Sequence, residues 1–393
     1  MPGSLVLMGS GETSPTMVEV HRAVARGLRA GARAVLLDTP YAFQENAADI
    51  SARARRYFAR SVGLEVEVAT GVTGADWVFS GPGSPTYALD RWAASGVAGD
   101  LRARVRSRRG VTVLASAAAC TAGLATVPVY EIYKVGAEPH WREGIGLLEP
   151  LGLRAVLIPH FDNAEGGTHD TRYCYLGERR LSRMERELPP ETAVLGLDEH
   201  TALIIDLESE AVEVAGRGGL TVRRPGAVTV LPAGTRTSLA AVRDLAAGAT
   251  SGTFAPPRPA APAAAGPTVP LEETIRSCEQ LFKDAVGKPD LVAAARLVLD
   301  LEAEIVTWVA DTEEDFGGVD QARELMRLLI ARLGDSAATA GLRPLVEPLL
   351  DLRAQLRGEG RYEVADALRA AMARGGVTVE DTPAGPRWSP ATV

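Results

Sequence analysis

A serine hydroxyl becomes a nucleophile only with a base within hydrogen-bond reach and an acid fixing that base's tautomer. The chain offers those three residue types at the ends of three apolar runs. Gly110-Val111-Thr112-Val113-Leu114-Ala115 stops on Ser116 and passes at once into Ala117-Ala118-Ala119-Cys120. Ala155-Val156-Leu157-Ile158 stops on Pro159-His160-Phe161, and Val194-Leu195-Gly196-Leu197 stops on Asp198-Glu199-His200. The first run reads as a buried strand turning directly into an alanine-rich helix, so charge developing at Ser116 would meet N-terminal helix amides. Its spacing is a diluted nucleophile elbow, with Leu114 and Ala118 where glycines would stand. Of the five histidines (His21, His140, His160, His169, His200), His160 stands immediately after a predicted strand, on the same expected rim as Ser116. Backbone N–H groups of Gly83, with Ser84, and of Ala117 are the candidate oxyanion donors. Each string also has an ordinary reading: a small-residue strand–helix corner, a backbone-bonded loop histidine, a solvated acidic turn.

The elements that must position these residues alternate. Short apolar runs at Leu5–Met8, Ala32–Leu37, Leu64–Val68, Trp77–Phe79 and the run into Ser116 are separated by predicted helices at about 15–29, 47–61 and 86–108. That alternation predicts an α/β fold with a doubly wound, mostly parallel sheet, which places ligands beyond the carboxyl ends of its strands. The loops Gly9–Glu12, Asp38–Tyr41, Gly81–Ser84 and Ser116 should share that rim. Residues 128–141 (PVYEIYKVGAEPHW) are aromatic and irregular. Short antiparallel strands from Ala202 to Leu231 and a helix near 238–247 close the domain, set at 1–248. A Pro/Ala-rich linker follows at 249–269; an extended chain of that length spans about 60 Å. From 270 to 393, apolar residues at three- and four-residue steps predict a helical bundle, with helices at 271–286, 289–310, 320–333, 342–357 and 362–374.

Composition sets bounds. The 393 residues are 46% hydrophobic and 23% charged, ordinary for a globular protein. Residues from Pro270 onward hold 22 acidic and 14 basic side chains, so that segment carries the whole net charge of −8. Such acidity disfavours non-specific binding to nucleic acid. The opening residues Met1–Leu5 have no basic region or long apolar run of the kind a signal peptide needs, and no run reaches the ~18 apolar residues of a membrane span. Three widely spaced cysteines make neither a disulfide framework nor a zinc set. A cytoplasmic location is expected, with no membrane partner. Cys120, one turn past Ser116, is read as a small buried apolar residue. His160, Asp162, Glu165, His169 and Asp170 match no standard metal spacing, and no metal or cofactor is expected.

Five strings together resemble the S51 peptidases, a family that includes cyanophycinase and α-aspartyl dipeptidase, within the class I glutamine amidotransferase-like (flavodoxin-like) fold. They are Met8-Gly9-Ser10-Gly11-Glu12, Gly81–Ser84, Ser116-Ala117, Pro159-His160-Phe161 and Gly196-Leu197-Asp198-Glu199-His200-Thr201-Ala202-Leu203. The resemblance spans about Leu5–Leu231. It implies Ser116 as nucleophile, His160 as general base, Glu199 as orienting acid, Gly83 and Ala117 as oxyanion donors, and a peptide or isopeptide-like amide as substrate. Gly11, Ser84, Asp162, Asn163, Arg172 and Asp198 become the candidate substrate-binding residues. Because the named enzymes favour acidic residues at the scissile bond, Arg172, Arg179 and Arg180 are the candidate acid readers. Two departures stand out: Ala118 replaces the family's usual glycine, and Asp162–Thr171 lengthens the step from histidine to arginine.

Residues 362–388 (YEVADALRAAMARGGVTVEDTPAGPRW) resemble the C-terminus of cysteinyl-tRNA synthetases. The signature motifs of the synthetase catalytic domain are missing, which excludes aminoacylation. An acidic bundle points to protein docking or self-association ahead of RNA, with tRNA left as an open partner. Besides the hydrolase, two readings therefore stand: a catalytically degenerate relative that binds a small ligand or recruits a partner, and a tRNA-associated accessory protein.

Overall fold

The computed structural model describes residues 3–164, 169–249, 271–309, 318–383 and 385–390. The chain divides into two compact units, one of Met1–Thr268 with Thr307–Asp315, the other of Val269–Val306 with Phe316–Val393. Apart from Ala249, the expected linker at 249–269 lies outside the described residues.

The first unit is a mixed α/β domain. In chain order it carries β1 (Ser4–Met8), α1 (Val18–Ala25), β2 (Ala34–Leu36), α2 (Ala47–Tyr57), β3 (Glu67–Val68), β4 (Trp77–Ser80), α3 (Pro85–Ser95), α4 (Val97–Arg106), β5 (Val111–Ala115) and α5 (Ser116–Cys120). It continues with β6 (Ala125–Thr126), α6 (Val129–Tyr133), β7 (Arg142–Glu143), β8 (Ala155–Ile158), α7 (Gly177–Glu185) and β9 (Ala193–Leu197). The last elements are β10 (Thr201–Asp206), β11 (Ala211–Gly216), β12 (Gly219–Arg224), β13 (Ala227–Pro232), β14 (Arg236–Ser238) and α8 (Leu239–Ala247).

A large eight-stranded sheet runs β14-β11-β10-β1-β5-β4-β2-β3. Its β1-β5-β4-β2-β3 half is parallel, and β10, β11 and β14 extend it antiparallel from the far side of β1. Successive strand residues point to opposite faces, and β1 uses both. Leu5 and Leu7 enter one apolar cluster while Val6 and Met8 enter the other. That double burial explains why its sequence is continuously apolar rather than alternating.

The remaining long strands form a second sheet, β13-β12-β9-β8, in which β8 and β9 run parallel. The α/β class and large central sheet match expectation, but the strands are shared between two sheets. His160 therefore does not stand on the rim of the sheet that carries Ser116. The junction is made after α5: Leu124 N–H donates to the Ala155 carbonyl at 3.0 Å, and Gly123 lies so close to β8 that a Cβ would come within 2.7 Å of the Val156 Cα. Only a glycine lets the helix that starts at Ser116 run this close to the strand that leads to His160.

The second unit holds α9 (Leu271–Gly287), α10 (Leu291–Trp308), α11 (Gly318–Gly358), α12 (Tyr362–Arg374) and a hairpin of β15 (Val377–Thr382) and β16 (Gly385–Pro390). The helices expected at 320–333 and 342–357 are one, α11, which runs through Pro344 and Pro348. Alanines at 337, 338 and 340 carry it across the glycine-flanked middle, where helix propensity decides in the absence of a strong breaker. Arg353, almost wholly buried on α11, makes a two-pronged ion pair with Asp381 of β15 at 2.7 and 2.8 Å, which ties the hairpin to the helix. Among the described residues, no helix is long and apolar enough to cross a membrane.

Candidate active site

Ser116 opens α5 directly from β5 with φ +47°, a backbone conformation that costs a non-glycine residue energy and clusters at functional turns. The Ala118 N–H donates to the Gly81 carbonyl at 3.1 Å, lacing the helix start to the Gly81–Gly83 loop. The Ala118 methyl that replaces the resembled family's glycine is fully buried in the larger apolar cluster. Gly83 has φ +126°, and a Cβ there would overlap the Pro40 carbonyl. The neighbouring Ser84 N–H donates to that same carbonyl at 2.7 Å. Ala117, in the first turn of α5, has no helical carbonyl four residues behind it.

His160 also has φ +47° and lies two residues past β8. Its Nε2 is 2.9 Å from Ser116 Oγ and its Nδ1 is 2.8 Å from Glu199 Oε1. Burial works against charge on Glu199, but the hydrogen bond and charge of His160, then the Asn163 amide, outweigh it and hold the carboxyl below its usual value. An ionised Glu199 accepts the Nδ1 proton, which leaves the Nε2 lone pair to accept from the serine hydroxyl. Asn163 Nδ2 donates to the same Glu199 Oε1 at 3.2 Å.

The backbone of Glu199 is held as well: its N–H donates to Asp162 Oδ1 at 2.8 Å. Asp198 Oδ2 accepts the Gly219 N–H at 2.7 Å, pinning the end of β9 to β12. Burial, then the charge of Asp162, pushes the Asp198 carboxyl up to about 6. Burial raises Asp162 also, against the pull of the Glu199 N–H.

The structure thus gathers Ser116, His160, Glu199, Asp162, Asn163 and Asp198, and the last three make contacts that hold Glu199 or the end of β9 in place. Ser84 is committed elsewhere too, its hydroxyl accepting the Tyr87 N–H at 3.2 Å as the cap of α3. Gly11, with φ +63°, lies against the His200 imidazole, which a Cβ would overlap. Arg172 is clasped by Asp170 through Nε and Nη2 at 2.8 and 2.9 Å. Arg180 donates to the Leu176 carbonyl at 3.2 Å. Sequence reasoning passed over His200, whose Nδ1 is 2.8 Å from Thr16 Oγ1 and which joins the residue after the acid to the start of the domain. Its signal was present, as the third member of the Asp-Glu-His string.

Cys120 is buried, and burial pushes its thiol up to about 12. Among the described residues no group of three or more His, Cys, Asp or Glu side chains could hold a metal ion. Glu165, one of the residues weighed for that role, lies outside them.

No family model matches the chain. The cysteine–tRNA ligase of Carboxydothermus hydrogenoformans is 39% identical over 54 residues, 14% of this chain and 12% of that protein. The cysteine–tRNA ligase of Frankia casuarinae is 36% identical over 85 residues, 20% of this chain and 16% of that protein. The chain therefore spans a small fraction of the length of these curated relatives. Among solved structures, a peptidase from an acI-B1 Actinobacterium aligns with a TM-score of 0.45 at 20% identity, covering 61% of this chain and 97% of that one. A putative peptidase E protein from Listeria monocytogenes EGD-e aligns with a TM-score of 0.36 at 12% identity, covering 59% and 99%.

Proposed function

We propose that the chain is a serine hydrolase that cleaves peptide or isopeptide-like amides through Ser116, His160 and Glu199. The observation that carries this reading is the unbroken hydrogen-bond path from Ser116 Oγ through both ring nitrogens of His160 to Glu199, at 2.9 and 2.8 Å. Ser116 Oγ attacks the scissile carbonyl while His160 Nε2 takes its proton, and Glu199 stabilises the imidazolium that forms. The oxyanion accepts hydrogen bonds from the N–H groups of Gly83 and Ala117. Collapse expels the amine with the proton from Nε2. Water, deprotonated by the same nitrogen, then releases the acyl group from Ser116.

A fluorophosphonate probe tests this directly. The native chain is expected to be labelled at Ser116, and Ser116→Ala not at all. His160→Ala should slow labelling by orders of magnitude while leaving the far-UV circular dichroism unchanged. A folded native chain that resists the probe would refute the reading.

A further inference from the structure

The wall beside the base is aromatic. The Tyr175 ring lies 6.5 Å from the His160 ring, Tyr133 follows at 4.9 Å from Tyr175, and His169 stacks on Tyr133 at 6.4 Å. Tyr133 and Tyr175 are half-buried, and His169 is exposed, so the row runs outward from the imidazole. Backbone geometry holds it in place. Tyr173, Cys174 and Tyr175 all have positive φ (62°, 54° and 65°), a costly run for residues with side chains. The turn folds back on the base itself, with Cys174 N–H donating to the His160 carbonyl at 3.1 Å and Tyr173 N–H to the Phe161 carbonyl at 3.0 Å.

The expected reader of acidic substrates is engaged at the same time. Asp170 accepts from the Arg172 guanidinium twice and from the Glu178 N–H at 2.9 Å. The guanidinium also sits over the Tyr173 ring at 5.0 Å. The pair occupies the Nε–Nη2 edge of the guanidinium and offsets its charge, which weakens its pull on a second carboxylate.

We infer that the site takes amides with an aromatic side chain next to the scissile bond, recognised by Tyr175 and Tyr133, and not amides flanked by a carboxylate. This rests on the hydrolase reading, which it deepens. Aromatic rings favour offset or tilted neighbours with centroids ~4.5–7 Å apart, and the row already holds its own rings at those separations.

Binding to the full-length Ser116→Ala protein separates specificity from catalysis. Calorimetric titration with the dipeptides Phe-Ala and Asp-Ala should show Phe-Ala bound about 10-fold tighter, and Tyr133→Leu in that background should narrow the gap roughly 2- to 12-fold. Tyr133→Phe, which keeps the ring, should preserve it. Equal or tighter binding of Asp-Ala, no measurable binding of Phe-Ala, or a gap unmoved by Tyr133→Leu in folded protein would each overturn the inference. Fluorophosphonate labelling of the native chain reports on the hydrolase reading alone. Labelling without aromatic preference sinks this inference and leaves the hydrolase standing; aromatic preference without labelling sinks the hydrolase reading and, with it, the claim about a scissile bond.

Discussion

Replacing Glu199 with glutamine tests how the site fixes its imidazole tautomer. In a Ser-His-acid triad an amide in place of the acid can turn its NH2 toward the histidine, force the proton to the wrong nitrogen and cost about 10⁴ in rate. Here Asn163 Nδ2 donates to the same Glu199 oxygen that faces His160 Nδ1. A glutamine is therefore favoured with its carbonyl oxygen at that position, since an NH2 there would confront the Asn163 donor unless that amide turned over too. The tautomer survives and only the charge is lost. A hydrogen bond to an ionised acceptor is worth ~1.5–3 kcal/mol against ~0.5–1.5 for a neutral one. The difference, about 1–2 kcal/mol, corresponds to a fall of roughly 5- to 30-fold. The assay is the second-order rate of fluorophosphonate labelling at Ser116. Glu199→Gln should stay within that range, and adding Asn163→Leu, which removes the opposing donor, should drop the rate by a further ~300- to 2,000-fold as the amide turns over. A loss near 10⁴ in the single variant, or a double variant no slower than the single, would show that Asn163 does not set the tautomer.

Three further outcomes follow from the same contacts. Gly83→Ala forces a side chain onto the Pro40 carbonyl at a φ of +126° and would move the proposed oxyanion donor, so it should lower the thermal midpoint and slow labelling of the folded fraction by ~10²–10³; an unchanged labelling rate in folded protein would take Gly83 out of the oxyanion site. Asp198, raised to about 6 from a usual 3.8, binds its proton more tightly in the folded state, so its contribution favours the fold in acid and is lost as pH rises through 6. Asp198→Asn keeps an acceptor for the Gly219 N–H and should raise the thermal midpoint at pH 7.5 relative to wild type while changing it little at pH 4; the opposite ordering would contradict the shift. His21, wholly buried in a ring of Tyr57, Phe58, Trp77 and Phe79 and lowered by burial from 6.5 to about 4, stabilises the fold as a neutral group. That contribution is intact above pH 6.5 and lost on acidification toward 4, at about 3 kcal/mol. Urea titrations of wild type and His21→Leu should converge by about that amount between pH 7 and 4, and parallel pH curves would refute the assignment.

The Ser116 turn was readable because a buried strand cannot stop on a hydroxyl and restart as an alanine helix without raising that hydroxyl at the sheet edge. The position of Glu199 beside His160 was readable from the string after Leu197. The division into two sheets was not, because β8 and β9 are apolar runs indistinguishable by pattern from central strands of the first sheet, and only long-range pairing with β12 separates them. The capping role of Ser84 had a visible sign in the Pro85 that follows it, a residue suited to the first turn of a helix. Arg172, a candidate substrate contact, pairs with Asp170 two positions before it, a local ion pair that the spacing already allows. The break expected in α11 rested on glycines and prolines whose local cost the intervening alanines and the packing of both ends overrode.

The two-sheet construction puts Ser116 at the end of a strand of one sheet and His160 just past a strand of the other, with Glu199 on the short link from β9 to β10 that joins the two. Sliding one layer over its neighbour by about 1 Å would stretch the serine–imidazole contact; displacements of that size can cost ~100-fold in an enzyme's rate. The close approach at Gly123, where a Cβ would meet the Val156 Cα at 2.7 Å, is one of the contacts that sets the spacing of the two layers.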